Sequence, residues 1–366
     1  MATKRTKTKA PQKSRFGIKT NIALLVASLI IALLGAEIAL RARAYKMESA
    51  GYLELRDEWI KILEGDKAPP NATPLARLVR KSDHENIIFD LRPNKAIKHD
   101  GVMVRVNQAG FRDRDYEKAK PEGTVRIFGI GDSFMFGQGV EQEKNYLALL
   151  EEMLNTKYPR KRWEVLNSGV PGYNIAMEVE TLQRKGLAYK PDIVILGYIS
   201  NDMELPSIAR VIGLPARDKL RGRHAFSTKS YLASFVKHKM DFIVNDLPPI
   251  EHKYAWMTGV RSLDASFKRL KSMANENHFT VVALFTELGG GPRITPVKKT
   301  ARGWGFTVVS ADMAITKHMN SAGIKEYTGS TLTVADGHPS ALTHDIIARE
   351  LLVSLEQKGI IDKFLK

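Results

Sequence analysis

The 366-residue chain contains no cysteine, so it can hold no disulfide. This absence agrees with an exported domain that avoids thiol oxidation, and equally with a cytosolic protein. No group of His, Asp and Glu residues has the spacing of metal ligands, and Gly129-Ile130-Gly131 lacks the third glycine of a dinucleotide-binding loop. We therefore expect neither a metal nor another cofactor.

Acidic residues are also missing from the first twenty positions, where basic residues are frequent. The basic residues there are Lys4, Arg5, Lys7, Lys9, Lys13, Arg15 and Lys19. Subtracting these seven charges from the net charge of +16 leaves +9 on the rest of the chain. A mildly basic surface suits anionic polymers or lipid headgroups. Much of the positive charge lies in a tail that precedes an apolar segment. This distribution of charge argues against a nucleic-acid-binding protein.

The segment from Asn21 to Leu40 is mostly apolar, with Glu37 as its one charged residue, and has the length of a membrane span, about 20 residues. We interpret it as a signal anchor. The alternative is a cleaved signal peptide ending at Ala42-Arg43-Ala44, although arginines at and beside this site disfavour cleavage. The positive-inside rule leaves the tail in the cytoplasm and sends the rest across the membrane. The predicted divisions are a tail (1–20), an anchor (21–41), a stalk with an accessory segment (42–120) and a catalytic domain (121–366) with a basic insertion at about 203–258.

Beyond Pro121, apolar runs with the length of strands alternate with helical patterns. Runs such as Ile193-Val194-Ile195-Leu196 are apolar throughout, which is typical of parallel strands covered on both faces. The chain therefore predicts a three-layer α/β/α domain with a parallel sheet. The predicted strands are 125–131, 163–166, 193–198, 280–285 and 306–309, and the predicted helices are 146–158, 175–189, 260–277 and 342–356.

The first predicted strand ends at Gly131-Asp132-Ser133, where a sheet of this kind presents reactive groups. Ser133 is our candidate nucleophile, although such a tripeptide also forms ordinary turns and Ser133 could simply cap a helix. Gly172 and Asn201 follow the next two strands. An ester carbonyl attacked by Ser133 needs donors for its developing negative oxygen, and the N–H groups of Ser133 and Gly172 with the Asn201 amide would supply three.

A serine nucleophile also needs a base, and His338 lies with Asp336 in a loop before the last predicted helix. A neutral histidine suits this role when an acid orients its ring. His338 is therefore the predicted base and Asp336 its orienter. We expect His344, on the following helix, to be a surface residue, and Asp132 to stabilise its turn rather than to act in catalysis.

These four blocks, in this order, resemble the SGNH/GDSL hydrolase family of serine esterases over about residues 121–356. The resemblance implies a flavodoxin-like doubly wound sheet, Ser133 as nucleophile, Gly172 and Asn201 in the oxyanion hole, and His338 as base. The family usually has two residues between its acid and its histidine, whereas only Gly337 stands between Asp336 and His338. Either Asp336 completes a triad, or a backbone carbonyl orients the ring of a Ser-His dyad.

The anchor, the stretch from Asn107 to Asp113 and the hydrolase blocks together resemble membrane-anchored bacterial proteins of this type. We predict an esterase outside the cytoplasmic membrane that removes or transfers small acyl groups, such as O-acetyl, on a polysaccharide or another ester. The alternatives are an inactive scaffold that binds polysaccharide or envelope partners, and a lipase or thioesterase that acts on lipid acyl esters. The sequence leaves the oligomeric state open.

Overall fold

The computed structural model describes residues 17–49, 59–64, 72–212, 230–233, 235–236, 254–289, 291 and 293–365. The basic tail and much of the predicted insertion lie outside these residues. Contacts divide the chain into two compact units. One comprises Met1–Ala50 with Ala216–Val236, and the other comprises Gly51–Pro215 with Lys237–Lys366.

The first unit contains the long helix α1 (Ile18–Ser49). Within it, Lys19–Lys46 contains an 18-residue window with a mean hydropathy of 2.5 and is long and apolar enough to cross a membrane. Leu25 and Ile31 are each 70% exposed, so the apolar side chains of α1 do not form a protein core. The predicted span at 21–40 lies inside this helix.

The second unit is built on a five-stranded sheet in which every neighbouring pair is parallel. Its order is β6-β5-β7-β8-β9, the doubly wound order of flavodoxin-like sheets. Residues alternate between the two faces of β5: Phe128 and Ile130 point to one core, Val125 and Ile127 to the other. The strands are β5 (Thr124–Gly131), β6 (Arg162–Asn167), β7 (Ile193–Tyr198), β8 (Thr280–Phe285) and β9 (Thr307–Ser310).

Helices cover both faces of this sheet, which confirms the predicted three-layer arrangement. One core packs beneath α5 (Ile175–Arg184), α7 (Gly259–Asn277) and α8 (Thr295–Gly303). The other packs beneath α4 (Tyr146–Lys157), α9 (Asp312–Ala322) and α10 (Ala341–Gln357). The short helices are α2 (Pro74–Leu78), α3 (Ser133–Phe136), α6 (Ser207–Ile212) and α11 (Asp362–Leu365).

Two antiparallel hairpins precede the sheet, and their apolar residues join a third core with residues from the loops of the α/β domain. This core includes Phe89 of the first hairpin together with Phe136, Val170 and Leu205. The accessory segment therefore packs on the loops that leave the sheet. The hairpin strands are β1 (Val79–Lys81), β2 (Phe89–Leu91), β3 (Lys95–His99) and β4 (Val102–Val106).

All five predicted strands are present, within one or two residues at their ends. The helix predicted at 175–189 instead ends at Arg184, and Gly186–Tyr189 forms a 3-10 turn. Helices α8 and α9 were not predicted. In α8 only Val297 and Ala301 are buried, and the basic residues between them obscure the apolar spacing.

Candidate active site

Ser133 lies where β5 ends and the one-turn helix α3 begins. The carboxylate of Asp132, not the hydroxyl of Ser133, caps this helix, because Asp132 Oδ1 accepts a hydrogen bond from Phe134 N at 2.9 Å. The left-handed residue Gly137 ends the helix after a single turn. The cap function considered for Ser133 is thus filled by its neighbour, as expected for Asp132, and the serine hydroxyl is left for other partners.

The Ser133 hydroxyl meets the imidazole of His338, 205 positions further along the chain. Ser133 Oγ lies 2.9 Å from His338 Nε2, and Oδ1 of Asp336 lies 2.9 Å from Nδ1. With the ring proton on Nδ1, Nε2 can accept the serine proton. The structure therefore brings the predicted nucleophile, base and acid into one line.

Asp336 reaches His338 despite the short spacing because the chain folds back sharply between them. Val334 N donates to the His338 carbonyl at 2.8 Å, and Gly337 has a left-handed φ of 90°. Asp336 Oδ1 also accepts from the backbone N–H of His338 at 3.2 Å. Its 2.9 Å approach to Nδ1 meets the distance of an ion pair but not the angle of a hydrogen bond. We therefore expect Asp336 to act on the ring mainly through its charge.

Two further contacts hold the acid and the base in place. Gln138, just beyond α3, donates to Asp336 Oδ2 at 2.7 Å, and the ring of Phe134 packs edge-on against the imidazole at 5.5 Å. Burial by itself would raise the pKa of Asp336, but its contacts with His338 and Gln138 outweigh burial and hold the pKa below its usual value. The carboxyl is therefore ionised at neutral pH.

Asn201 stands at the carboxyl end of β7, on the same edge of the sheet as Ser133. The Glu287 carboxylate holds the turn that begins at Ser200, since it accepts from Ser200 N at 2.7 Å and Ser200 Oγ at 2.9 Å. The Asn201 amide nitrogen lies 3.5 Å from Asp132 Oδ2. The same carboxylate oxygen lies 3.1 Å from Ser133 Oγ. The Asn201 amide and the Ser133 hydroxyl thus both lie close to the same carboxylate oxygen of Asp132.

Gly172 lies in the loop after β6 with a left-handed φ of 79°. Its carbonyl accepts a hydrogen bond from Ser207 N at 3.2 Å. A Cβ at this position would come within 2.1 Å of Ser207 Oγ, so a larger residue fits here only if the Ser207 hydroxyl moves away. The predicted oxyanion role of its N–H stays a prediction.

Sequence reasoning missed the side chains that fix α3. The carbonyl of Met135 accepts from the amides of Asn145 and Asn167 at 2.8 and 2.9 Å. Arg112 is buried, donates to the carbonyls of Phe136 and Gly137, and stacks over the Phe136 ring at 4.8 Å. The sequence signal for Arg112 was its position in the stretch from Asn107 to Asp113, which is part of the resemblance to membrane-anchored bacterial proteins. The accessory segment thereby holds the nucleophile's helix.

Three carboxyl groups are buried behind the nucleophile: Asp132, Asp202 and Glu178. Burial raises the pKa of each, and their mutual repulsion raises it further for Asp202 and Glu178. Raised pKa values favour protonation, which reduces the negative charge that an oxyanion at Ser133 would face.

His344 is buried, which contradicts the prediction that it lies at the surface. Its Nδ1 accepts from Tyr146 N at 3.1 Å, and its ring stacks on the Tyr146 ring at 5.4 Å. Burial lowers the pKa of His344 to about 3, so the ring is neutral. The error arose because the imidazole is polar, although His344 lies at the helical spacing of the buried residues Ile347, Ala348 and Leu351. His344 joins α10 to α4 and takes no part in the Ser133 site.

No family model matches the chain, and a search of curated proteins gave no match. Among solved structures, it is similar to a two-domain esterase active on acetylated mannans (16% identity, TM-score 0.42, 64% of this chain and 49% of that one). It is also similar to TesA (16% identity, TM-score 0.39, 63% and 98%) and to a catalytic mutant of the acetylxylan esterase Axe2 from Geobacillus stearothermophilus (19% identity, TM-score 0.38, 63% and 94%).

The chain spans about half the length of the mannan esterase. The strand order of its own sheet, and the meeting of Ser133 with His338 and Asp336, agree with the resemblance to the SGNH/GDSL hydrolases.

Proposed function

We propose that this protein is an SGNH-type serine esterase that acts outside the cytoplasmic membrane. The observation that carries the proposal is the continuous line from Ser133 Oγ to His338 Nε2 and from Nδ1 to the Asp336 carboxylate, with 2.9 Å at each step. Ser133 and His338 are 205 positions apart and have no need to meet in a protein that only binds. The same line weighs against an inactive scaffold.

In the proposed mechanism, Ser133 Oγ attacks the carbonyl carbon of an ester while His338 Nε2 takes the hydroxyl proton. The carbonyl oxygen becomes negative and is stabilised by N–H donors, for which Ser133 N, Gly172 N and the Asn201 amide are our candidates. Loss of one such donor typically slows a reaction about 10² to 10³-fold. The oxyanion then collapses, the alcohol leaves with the proton from His338, and an acyl group remains on Ser133.

A second acceptor completes the cycle. Water attacks the acyl carbonyl and gives a proton to His338. Collapse of this second intermediate releases the acid, and His338 returns the proton to Ser133 Oγ. A sugar hydroxyl in place of water would transfer the acyl group instead. In both cases the ionised Asp336 stabilises the imidazolium that forms twice in each turnover.

We further propose that the substrate carries small acyl groups, such as O-acetyl, on a polysaccharide outside the cell membrane. Helix α1 supports the location, because it is long and apolar enough for an anchor and follows a basic tail that favours the cytoplasm. Lipid acyl esters are the alternative substrate class, and chain-length preference separates the two.

The test uses the full chain in detergent and chromogenic esters of increasing acyl length. We expect hydrolysis that favours acetyl, loss of activity in Ser133→Ala and His338→Ala, and labelling of Ser133 by a fluorophosphonate. Ser321→Ala, an exposed serine on α9, is the control and should keep full activity. Full activity in Ser133→Ala would refute the proposal.

Incubation with acetylated polysaccharide then addresses the substrate itself. Released acetate indicates hydrolysis, and acetyl groups moved to an added sugar indicate transfer. A preference for long acyl chains would instead assign the protein to the lipid esterases.

A further inference from the structure

Glu37 is an acidic residue within the apolar helix α1, and it receives hydrogen bonds from a segment almost 200 positions away. Its carboxylate accepts from Ser230 Oγ at 3.0 Å, from Tyr231 N at 2.8 Å and from Leu232 N at 2.7 Å. Arg41, one turn further along α1, pairs with the same carboxylate at 2.8 Å and lies 5.0 Å from the centre of the Tyr231 ring. The described residues 230–233 and 235–236 thus form a segment that is docked on α1 through Ser230, Tyr231 and Leu232.

These contacts fit the local structure of the segment. A helical turn begins at Tyr231, and the first backbone N–H groups of a helix have no partner within it. Glu37 satisfies two of them, and Ser230 Oγ accepts from Ala233 N at 3.1 Å. A negative charge is favourable at this end of a helix. A charge that would be costly in an apolar helix is therefore balanced by this segment and by Arg41.

The position of Glu37 along α1 gives the depth at which the segment would lie. From Lys19 to Glu37 the helix rises about 27 Å at 1.5 Å per residue, close to the hydrocarbon thickness of about 30 Å. With the basic tail at the cytoplasmic surface, Glu37 lies at the opposite interface. The docked segment is held at the same level.

The composition of the segment suits this interface. Phe235 and Val236 are 41% and 48% exposed, although both are apolar. In the sequence, Lys229 precedes the segment and Lys237 follows it. Aromatic and aliphatic residues between basic ones are typical of elements that lie in the headgroup region of a membrane with anionic lipids.

We propose that residues 230–236 form a second membrane contact, in which Phe235 and Val236 enter the outer interface of a phospholipid bilayer. The occupant of this apolar face is lipid, because the segment is held on an apolar helix long enough to cross a membrane and Lys229 and Lys237 on its flanks carry the charge that attracts anionic headgroups. The insertion that links α6 to α7 would then be attached to the membrane midway along its length. This proposal goes beyond the esterase activity and does not depend on it.

The absence of cysteine allows a direct test with the full chain in lipid nanodiscs. Phe235→Cys and, as a matched control on the same turn, Ala233→Cys are labelled with a polarity-sensitive fluorophore. Ala233 lies in the same segment but outside the apolar pair, so its label is a control for the depth of the segment as a whole. We expect nitroxide lipids labelled near the glycerol to quench the label at 235 severalfold more than the label at 233.

The proposal would be overturned if the label at 235 were quenched no more strongly than the label at 233. A blue-shifted emission without stronger quenching would also overturn it, because it would show that the label at 235 is buried against protein and not lipid. A second variant, Glu37→Leu, keeps α1 apolar and removes the acceptor. It should lower the quenching at 235, whereas unchanged quenching would contradict the docking on which the depth depends. Fluorophosphonate labelling of Ser133 in each variant monitors the catalytic unit separately.

Discussion

Replacement of Asp336 by asparagine tests whether this site is a triad or a dyad. The amide keeps the size of the side chain and removes its charge. In the transition state His338 is an imidazolium, and Asp336 Oδ1 stands 2.9 Å from its Nδ1. The variant therefore loses a charge interaction that exists only when the proton has moved to His338.

The size of the loss follows from distance and exposure. Two charges about 4 Å apart attract by about 4 kcal/mol at an effective dielectric constant of 20 and by about 1 kcal/mol in water. The Asp336 side chain is 39% exposed, which places it between these limits. A loss of about 2 to 3 kcal/mol lowers kcat by roughly 30- to 150-fold. This is less than the roughly 10⁴-fold loss typical of a buried triad acid.

The measurement is kcat on a chromogenic acetyl ester for Asp336→Asn beside Asp345→Asn. Asp345 is a matched control, because its side chain is 35% exposed and it also bears a cationic partner, Arg349 at 2.7 Å. We expect the control to keep the activity of the unchanged protein. If kcat of Asp336→Asn fell by less than about threefold, which corresponds to under about 1 kcal/mol, the triad would be refuted in favour of a dyad.

Three further predictions concern stability and the loop after β6. Breaking the buried ion pair of Arg126 and Glu164 with Glu164→Ala should cost about 3 to 5 kcal/mol, seen as a lower Tm; an unchanged Tm would contradict it. Gly172→Ala should lower the esterase activity. Adding Ser207→Ala to this variant should restore part of the activity, because it removes the hydroxyl that would lie 2.1 Å from the new Cβ; no recovery would mean that the left-handed backbone at position 172 alone causes the loss. Burial raises the pKa of Asp113 to about 7. Between about pH 4 and 7 the native state therefore keeps a proton on this carboxyl that the unfolded chain has already released. The free energy of unfolding consequently falls as the pH rises through this range. Asp113→Asn should therefore gain Tm over the unchanged protein across that range, and a constant difference would contradict this.

Much of the fold could be predicted because its signals are local. The strand Ile193–Tyr198 is apolar at five of its six positions, which few structures other than a covered strand accommodate. Helix α8 was missed because its inward residues are few and its basic residues many. The burial of His344 was missed for a different reason, since its polar ring was expected to be exposed although it lies in register with the buried residues of α10 and packs on Tyr146.

The sequence by itself determined the apolar strands, the long N-terminal helix and the turn at Gly131-Asp132-Ser133, because each depends on neighbouring residues. Tertiary structure alone decided that Asp336 reaches His338, that Arg112 holds α3 and that Glu37 meets a segment far along the chain. These contacts join residues that chain periodicity does not relate. Their geometry is set only by tertiary packing, within the second unit for the first two contacts and within the first unit for the third.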